Sequence, residues 1–468
     1  YARVLPPAQG ERVTRIDSPA SFGAPASLNS ASPQSAGSSQ DAPHQDTAAH
    51  QDTAAHQNTA SQDTASPHSA TAPTSRAVAD RASAPVDFTA TDTVFQLLDP
   101  SGQLRDPRED PDAPELHRQL AEIANDLEPQ TLRAFLRDMT IMRRFDNEAT
   151  SLQRQGELGL WAPALGQEGG QVGSAHALQK QDQIFPSYRE HPIAWVRGVD
   201  VVELLKLFRG TQHGGWDPTA EHNFHIYTLV IGSHILHATG YAMGLQRDGL
   251  VGTGDRDTDA ATVVYFGDGA SSQGDVAEAF GFASVNKAPV VFFCQNNQWA
   301  ISVPSSSQTT VPISRRALGY GMPTIRIDGN DALAGWAATR WASDYAAAGN
   351  GPVLIEAMTY RMGAHTTSDD PTRYRTEEEE ETWRQRDPIT RLQTFLQSRG
   401  DISEADLAAW EAQADELAER VRTEVRAMTA PPADSFFENV YTEPHLQVSA
   451  ERDWFSKYHA SFVEEDAQ

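Results

Sequence analysis

The feature that most constrains this chain is a series of short apolar runs set between helical stretches. Thr262–Phe266 (TVVYF), Pro289–Cys294 (PVVFFC), Thr324–Ile327 (TIRI) and Val353–Met358 (VLIEAM) lack the polar–apolar alternation of a strand wetted on one face. Runs of this kind are buried on both sides. Between them, Gln273–Asn286 and Asp331–Ala348 carry a helical pattern. Upstream, Gln130–Arg154 places Leu132, Phe135, Leu136, Met139, Met142 and Phe145 on one side of a helix, with arginines between. Buried strands alternating with helices predict an α/β fold, a parallel sheet flanked by helices. From Pro371 onward the chain is charged and helical, and Glu377–Glu381 reads as a solvated helix start.

Composition explains the rest of the 468 residues. Hydrophobic residues are 39% and the mean hydropathy is −0.51, and the polarity is concentrated at the front. From Ser18 to Pro85 there is almost no large apolar residue, and HQDTAA occurs at His44–Ala49 and again at His50–Ala55. Such a stretch has no face to bury, so residues 1–87 read as a disordered low-complexity arm. Its histidines, without cysteines or fixed geometry, read as part of a solvated tail. Residues 88–430 then form the folded domain, with helical additions, and 431–468 a C-terminal tail. The net charge of −27 repels phosphate backbones and anionic lipid, so neither nucleic acid nor a membrane surface is an expected partner. No apolar run approaches the ~20 residues of a membrane span. Cys294 is the single cysteine, which fits a reducing compartment. With no secretory pattern at the front, the expected location is cytoplasmic.

The chemistry concentrates where the first of these runs ends. Gly267-Asp268-Gly269 follows Thr262–Phe266, so the backbone can turn sharply, approach a phosphate and present one carboxylate. The next run ends in Asn296-Asn297, one strand–helix–strand unit later, which sets Asp268 opposite Asn297. A carboxylate, an amide carbonyl and a backbone carbonyl are oxygen donors that Mg²⁺ accepts while it holds a diphosphate. Either motif alone is a common turn or cap. GDG, 26 residues (Ala270–Gln295) and then NN form the thiamin-diphosphate fingerprint.

The resemblance extends well past the fingerprint. From about Thr131 to Arg399 the chain resembles the alpha subunits of thiamin-diphosphate-dependent 2-oxo acid dehydrogenases. Ala164–Val172 (ALGQEGGQV), Phe185–Glu190 (FPSYRE), Gly267–Ser302 and Tyr360–Tyr374 (YRMGAHTTSDDPTRY) carry it. The resemblance implies a thiamin-diphosphate-binding fold. It implies Mg²⁺ held by Asp268, Asn297 and the Trp299 carbonyl. Tyr188, Arg189, Gly267, Gly269, Ala270 and Gln295 would meet the diphosphate end, while Leu229 and Ile231 would hold the cofactor, Ile231 in its bent form. His365 would be the active-site histidine.

The same resemblance implies decarboxylation of a 2-oxo acid and reductive acylation of a lipoyl group on the transacylase core of a multienzyme complex. Branched-chain substrates such as 3-methyl-2-oxobutanoate are favoured over pyruvate or acetoin by Ala364–Asp370 and Trp216–Gly240. The glutamate that thiamin enzymes place against the aminopyrimidine comes from a beta subunit in this family, and the chain lacks a second thiamin-binding half. An α2β2 heterotetramer, inactive as the single chain, is the expectation.

Several positions depart from mammalian relatives. Gln295 replaces an arginine, and Ala364-His365-Thr366 replaces a His-His-Ser phosphorylation loop, so kinase control there is not expected. Tyr227–His234 differs from the relatives that coordinate potassium, and no potassium site is expected. His222, His225, His234 and His237 form two H-x-x-H pairs, yet without cysteines they read as core or interface residues with local hydrogen bonds. His191 takes no role from the sequence, and Cys294 reads as a small core residue. Two rival readings remain. A non-catalytic scaffold sits badly with intact Asp268, Asn297 and His365, and a nicotinamide dehydrogenase would need more than the Gly252-x-Gly254 pair.

Overall fold

A computed structural model describes residues 92–212, 215–438 and 440–465. The arm expected at residues 1–87, with its HQDTAA repeats, lies outside the described residues.

Five parallel strands form the central sheet: β1 Gln183–Phe185, β2 Thr262–Gly267, β3 Val290–Asn296, β4 Thr324–Asp328 and β5 Val353–Met358. Their spatial order is β1-β2-β3-β5-β4. The four apolar runs named from the sequence are four of these strands, each within two residues of its expected ends. The fifth, β1, is three residues long and too short to show a periodicity. Apart from Gly267 and Met358 at the tips and Arg326, every residue of the sheet is buried, as a sheet covered on both faces requires.

Helices cover both faces. α1 (Pro129–Arg154) buries the predicted stripe from Leu132 through Phe145 and continues it with Ala149 and Leu152. α2 (Glu168–Ala177) and α5 (Ala332–Tyr345) approach unusually closely. A Cβ on Gly173 would stand 2.2 Å from the Ala332 carbonyl oxygen, so the glycines of EGGQVGSAHA are a packing requirement. That contact pins the start of α2 beside the ends of the strands. α3 (Ser233–Arg247) and α4 (Gly274–Asn286) flank β2 and β3 in a second apolar cluster that contains Ile235, Phe266, Phe280 and Cys294. Cys294 is fully buried there, as expected for a core residue. α5 was expected to run to Ala348; it ends at Tyr345, and a wider turn then leads to Gly349 at φ 82°.

The charged C-terminal region is largely helical. α6 (Glu404–Ala427) begins in a capping box between Ser403 and Asp406 and packs along α1, where Arg422 pairs with Glu148 at 2.7 Å. A last helix spans Leu446–Glu465. Among the described residues, no helix is long and apolar enough to cross a membrane.

Candidate active site

The carboxyl ends of β2 and β3 lie side by side, with Gly267 in register with Gln295. This is the edge of a parallel sheet at which α/β proteins bind ligands. Beyond β2 the chain turns at once: Ser271 donates through N and Oγ to the Asp268 carbonyl at 3.1 and 2.6 Å. A Cβ on Gly269 would come 2.7 Å from the Cβ of Ala300, so this turn excludes a side chain. Asp268 is 2% exposed, and Gln308 Nε2 donates to its Oδ2 at 3.3 Å. Burial pushes its carboxyl up to about 6. A desolvated carboxyl in this position matches a cation site.

Beyond β3, Gln298 and Ile301 adopt φ of 71° and 55°, bracketing a two-residue hairpin pairing of Trp299–Ala300 with Val303–Pro304. The turn is drawn tight by Trp299 N, which donates to Asn297 Oδ1 at 3.2 Å. Asn297 Nδ2 in turn donates to Gln167 Oε1 at 3.1 Å. The Trp299 carbonyl accepts from Arg361 Nη1 at 3.1 Å and keeps a second lone pair.

The third wall follows β1. Arg189 donates through Nη1 to the Pro163 carbonyl at 2.6 Å and through Nη2 to the His365 carbonyl at 2.9 Å. Glu190 is buried, accepts from Gln295 Nε2 at 2.6 Å, and its carboxyl is pushed up to about 7 by burial. Gln295 Oε1 accepts from Gln171 Nε2 at 2.7 Å. Gln295 therefore joins an amide–carboxyl chain with Gln171 and Glu190.

His365 closes the fourth side. Its backbone N–H donates to Asp369 Oδ2 at 2.8 Å, and its Nδ1 faces Arg189 Nη2 and Arg361 Nη1, each at 3.3 Å. Guanidinium nitrogens only donate, so Nδ1 accepts and the neutral ring carries its proton on Nε2. Burial first, then the two positive charges, push the imidazole down to about 3.

Tyr188, Arg189, Ile231, Gly267, Asp268 and Gly269 line one cleft of about 250 Å³. Ala270, Gln295, Asn297, Trp299 and His365 line the same cleft. Leu229 is the departure from the sequence reading. It is 56% exposed on the loop before α3 and does not reach the wall, which that loop meets at Ile231. The cleft also has Gln167, Ser187, Glu190, Ala300 and Ile301 on its wall, none of them assigned from the sequence. Gln167 and Glu190 fall within ALGQEGGQV and FPSYRE, so their motifs had marked the place if not the residue.

One histidine of each H-x-x-H pair has an ordinary partner. His225 Nε2 bonds Gln183 Oε1 at 3.0 Å, and His234 Nε2 bonds the Tyr265 carbonyl at 2.8 Å. His191 is buried between the Tyr227 hydroxyl at 2.8 Å and the Ala162 carbonyl at 3.0 Å. Among the described residues, no group of three or more His, Cys, Asp or Glu is placed to hold a metal ion. The set Asp268, Asn297 and Trp299 contains one such residue and relies on amide and carbonyl oxygens.

Comparison with known proteins decides the family. The description "Dehydrogenase E1 component" matches residues 136–433. The chain is 47% identical, over 334 residues, to the 3-methyl-2-oxobutanoate dehydrogenase subunit alpha of Mycobacterium tuberculosis, covering 70% of this chain and 88% of that protein. The chain belongs to the dehydrogenase E1 component family. It is also 40% identical over 310 residues to the pyruvate dehydrogenase E1 component subunit alpha of Staphylococcus aureus, covering 65% of this chain and 79% of that one. The resemblance read from the GDG…NN spacing holds. Membership in the E1 family implies thiamin diphosphate as cofactor. The cleft fits such a group: it combines a buried carboxylate, a glycine turn open to a phosphate and a buried amide nitrogen, Gln167 Nε2, with no hydrogen-bond partner among the described residues.

Proposed function

We propose that this protein is the alpha subunit of a branched-chain 2-oxo acid dehydrogenase, acting on 3-methyl-2-oxobutanoate and its relatives. The observation that carries the reading is the similarity over 88% of the Mycobacterium tuberculosis subunit. It is supported by the cleft that gathers Asp268, Asn297 and His365. Thiamin diphosphate bound there supplies the carbon nucleophile and electron sink for decarboxylation. The chain's own residues bind, orient and manage protons. Asp268, Asn297 and the Trp299 carbonyl are the oxygen set for Mg²⁺. Tyr188, Arg189 and the Gly267–Ala270 turn would meet the diphosphate end, and Ile231 would pack against the cofactor. His365, fixed by Arg189, Arg361 and Asp369, offers a neutral Nε2–H to the substrate side, a hydrogen-bond donor in place of a general base.

The partners of this reading are a beta subunit, completing the site in an α2β2 heterotetramer, and a lipoyl-bearing transacylase that takes the acyl group. The test is co-expression with the cognate beta chain and assay of thiamin-dependent turnover. The expected result is kcat/KM at least tenfold higher for 3-methyl-2-oxobutanoate than for pyruvate, and no turnover by the alpha chain alone. A preference for pyruvate, the substrate named for the Staphylococcus aureus relative, would overturn the substrate assignment.

A further inference from the structure

The orientation of one side-chain amide is fixed by its neighbours, and this determines what the next amide can do. A backbone N–H can only donate, so the atom of Asn297 that faces Trp299 N at 3.2 Å is its oxygen. Asn297 Nδ2 is thereby committed to Gln167, whose oxygen must accept at 3.1 Å. Gln167 Nε2 is then left as a donor. It is buried, it has no hydrogen-bond partner among the described residues, and its residue is 2% exposed on the wall of the cleft. Leaving a buried donor unmade costs about 1–3 kcal/mol, and such groups normally find a partner. The backbone around Gln167 is held in place. It caps α2, whose glycines pack against α5, and a Cβ on the preceding Gly166 would stand 2.4 Å from the Tyr360 carbonyl oxygen.

We propose that Gln167 Nε2 donates a hydrogen bond to a phosphate oxygen of the cofactor's metal-bound diphosphate. The inference rests on the thiamin-diphosphate reading and adds a contact to it. Phosphate is the acceptor chosen because the same amide touches Asn297, a residue read as a ligand of the metal, so its nitrogen lies within one amide's span of what that metal binds.

The test uses the purified αβ assembly at saturating Mg²⁺, with inorganic pyrophosphate and thiamin diphosphate as calorimetric probes. Gln167→Met removes the donor with little change in volume. Gln167→Glu keeps an oxygen for Asn297 and puts an anionic oxygen in place of the donor. Both variants are expected to weaken pyrophosphate and thiamin diphosphate binding by the same factor, about tenfold or more, with Gln167→Glu the weaker binder. KM for the 2-oxo acid at saturating cofactor is expected to stay within twofold. Wild-type affinity in Gln167→Met overturns the proposal. Wild-type affinity in Gln167→Glu overturns it too, since the residue would then serve only to hold Asn297. A changed KM with unchanged pyrophosphate affinity would place the donor on the substrate instead and also overturns it. If the wild-type assembly binds neither probe, the thiamin reading itself fails, an outcome distinct from the others.

Discussion

The two ends of the sheet treat buried charge in opposite ways. At the amino ends of β1 and β2, Arg256 reaches Asp182 at 2.7 Å and Asp344 at 2.8 Å, and its third contact is the Asp259 carbonyl. Asp344 also takes Arg340 at 2.9 Å, and Asp182 takes the Ala261 N–H at 2.8 Å. Arg256 and the Asp182 and Asp344 carboxylates are matched by opposite charge, and buried Asp259 is held by the Thr253 and Gly254 N–H groups at 2.8 and 3.1 Å. At the carboxyl ends, Asp268 and Glu190 lie buried without an ion-pair partner among the described residues, both pushed upward by burial, and Gln167 Nε2 has no hydrogen bond among them. The ions of the first end are satisfied within the fold. The other end is complete only with something added, which separates a structural polar cluster from a binding site.

Removing a partner from the closed end should produce the largest effect. Arg256→Ala strands the buried Asp182 carboxylate and leaves Asp344 to Arg340 alone, and is expected to cost about 3–5 kcal/mol of stability. Thermal melting would show it, and the cofactor Kd of the protein that stays folded should be unchanged. A melting point within a degree or two of wild type would erase the contrast. At the open end the signs reverse. Asp268→Ala is expected to abolish Mg²⁺-dependent thiamin diphosphate binding, at least a hundredfold in Kd, while the metal-free protein melts no lower than wild type, since a desolvated carboxyl is lost. Retained binding, read by calorimetry, would refute the metal assignment.

Asp146 sharpens the comparison by pH. It accepts from Trp161 Nε1 at 3.0 Å and Ala164 N at 2.6 Å behind the cleft wall, and burial, then the charge of Glu168, push it up to about 7. The folded state therefore holds a proton that the unfolded chain has released above about pH 4. Stability is expected to fall as pH rises from about 4 to 7, at no more than about 1.4 kcal/mol per pH unit from this group. Asp146→Asn should flatten that slope in melting curves taken at pH 5 and pH 7; parallel slopes would contradict it. The smallest effects separate two neighbours. Ile231→Ala should raise the thiamin diphosphate Kd several-fold, whereas Leu229→Ala, exposed and off the wall, should change it less than twofold in the same titration.

Much of the cleft was legible because its chemistry is carried by local motifs. GDG and NN each end a strand, and a single βαβ unit must lay those ends together, so Asp268 and Asn297 were paired by chain topology alone. The Arg189–His365 contact was different. The two residues lie 176 positions apart, and only the packing of the loop after β1 against the loop after β5 brings them to 2.9 Å. Leu229 and Ile231 are two residues apart and equally apolar, and no local pattern tells which one lines the cleft. Gln167 and Glu190 had no signal of their own, since a glutamine and a glutamate in polar motifs are solvated surface by default.

By itself, then, the sequence determined the parallel sheet, the family and the strand ends that bear the chemistry, because buried strands and glycine turns leave local patterns. The tertiary structure alone decided which polar side chains are desolvated and which of those lack a partner. Desolvation depends on everything packed around a group, and in this fold the surroundings come from segments far apart in the chain.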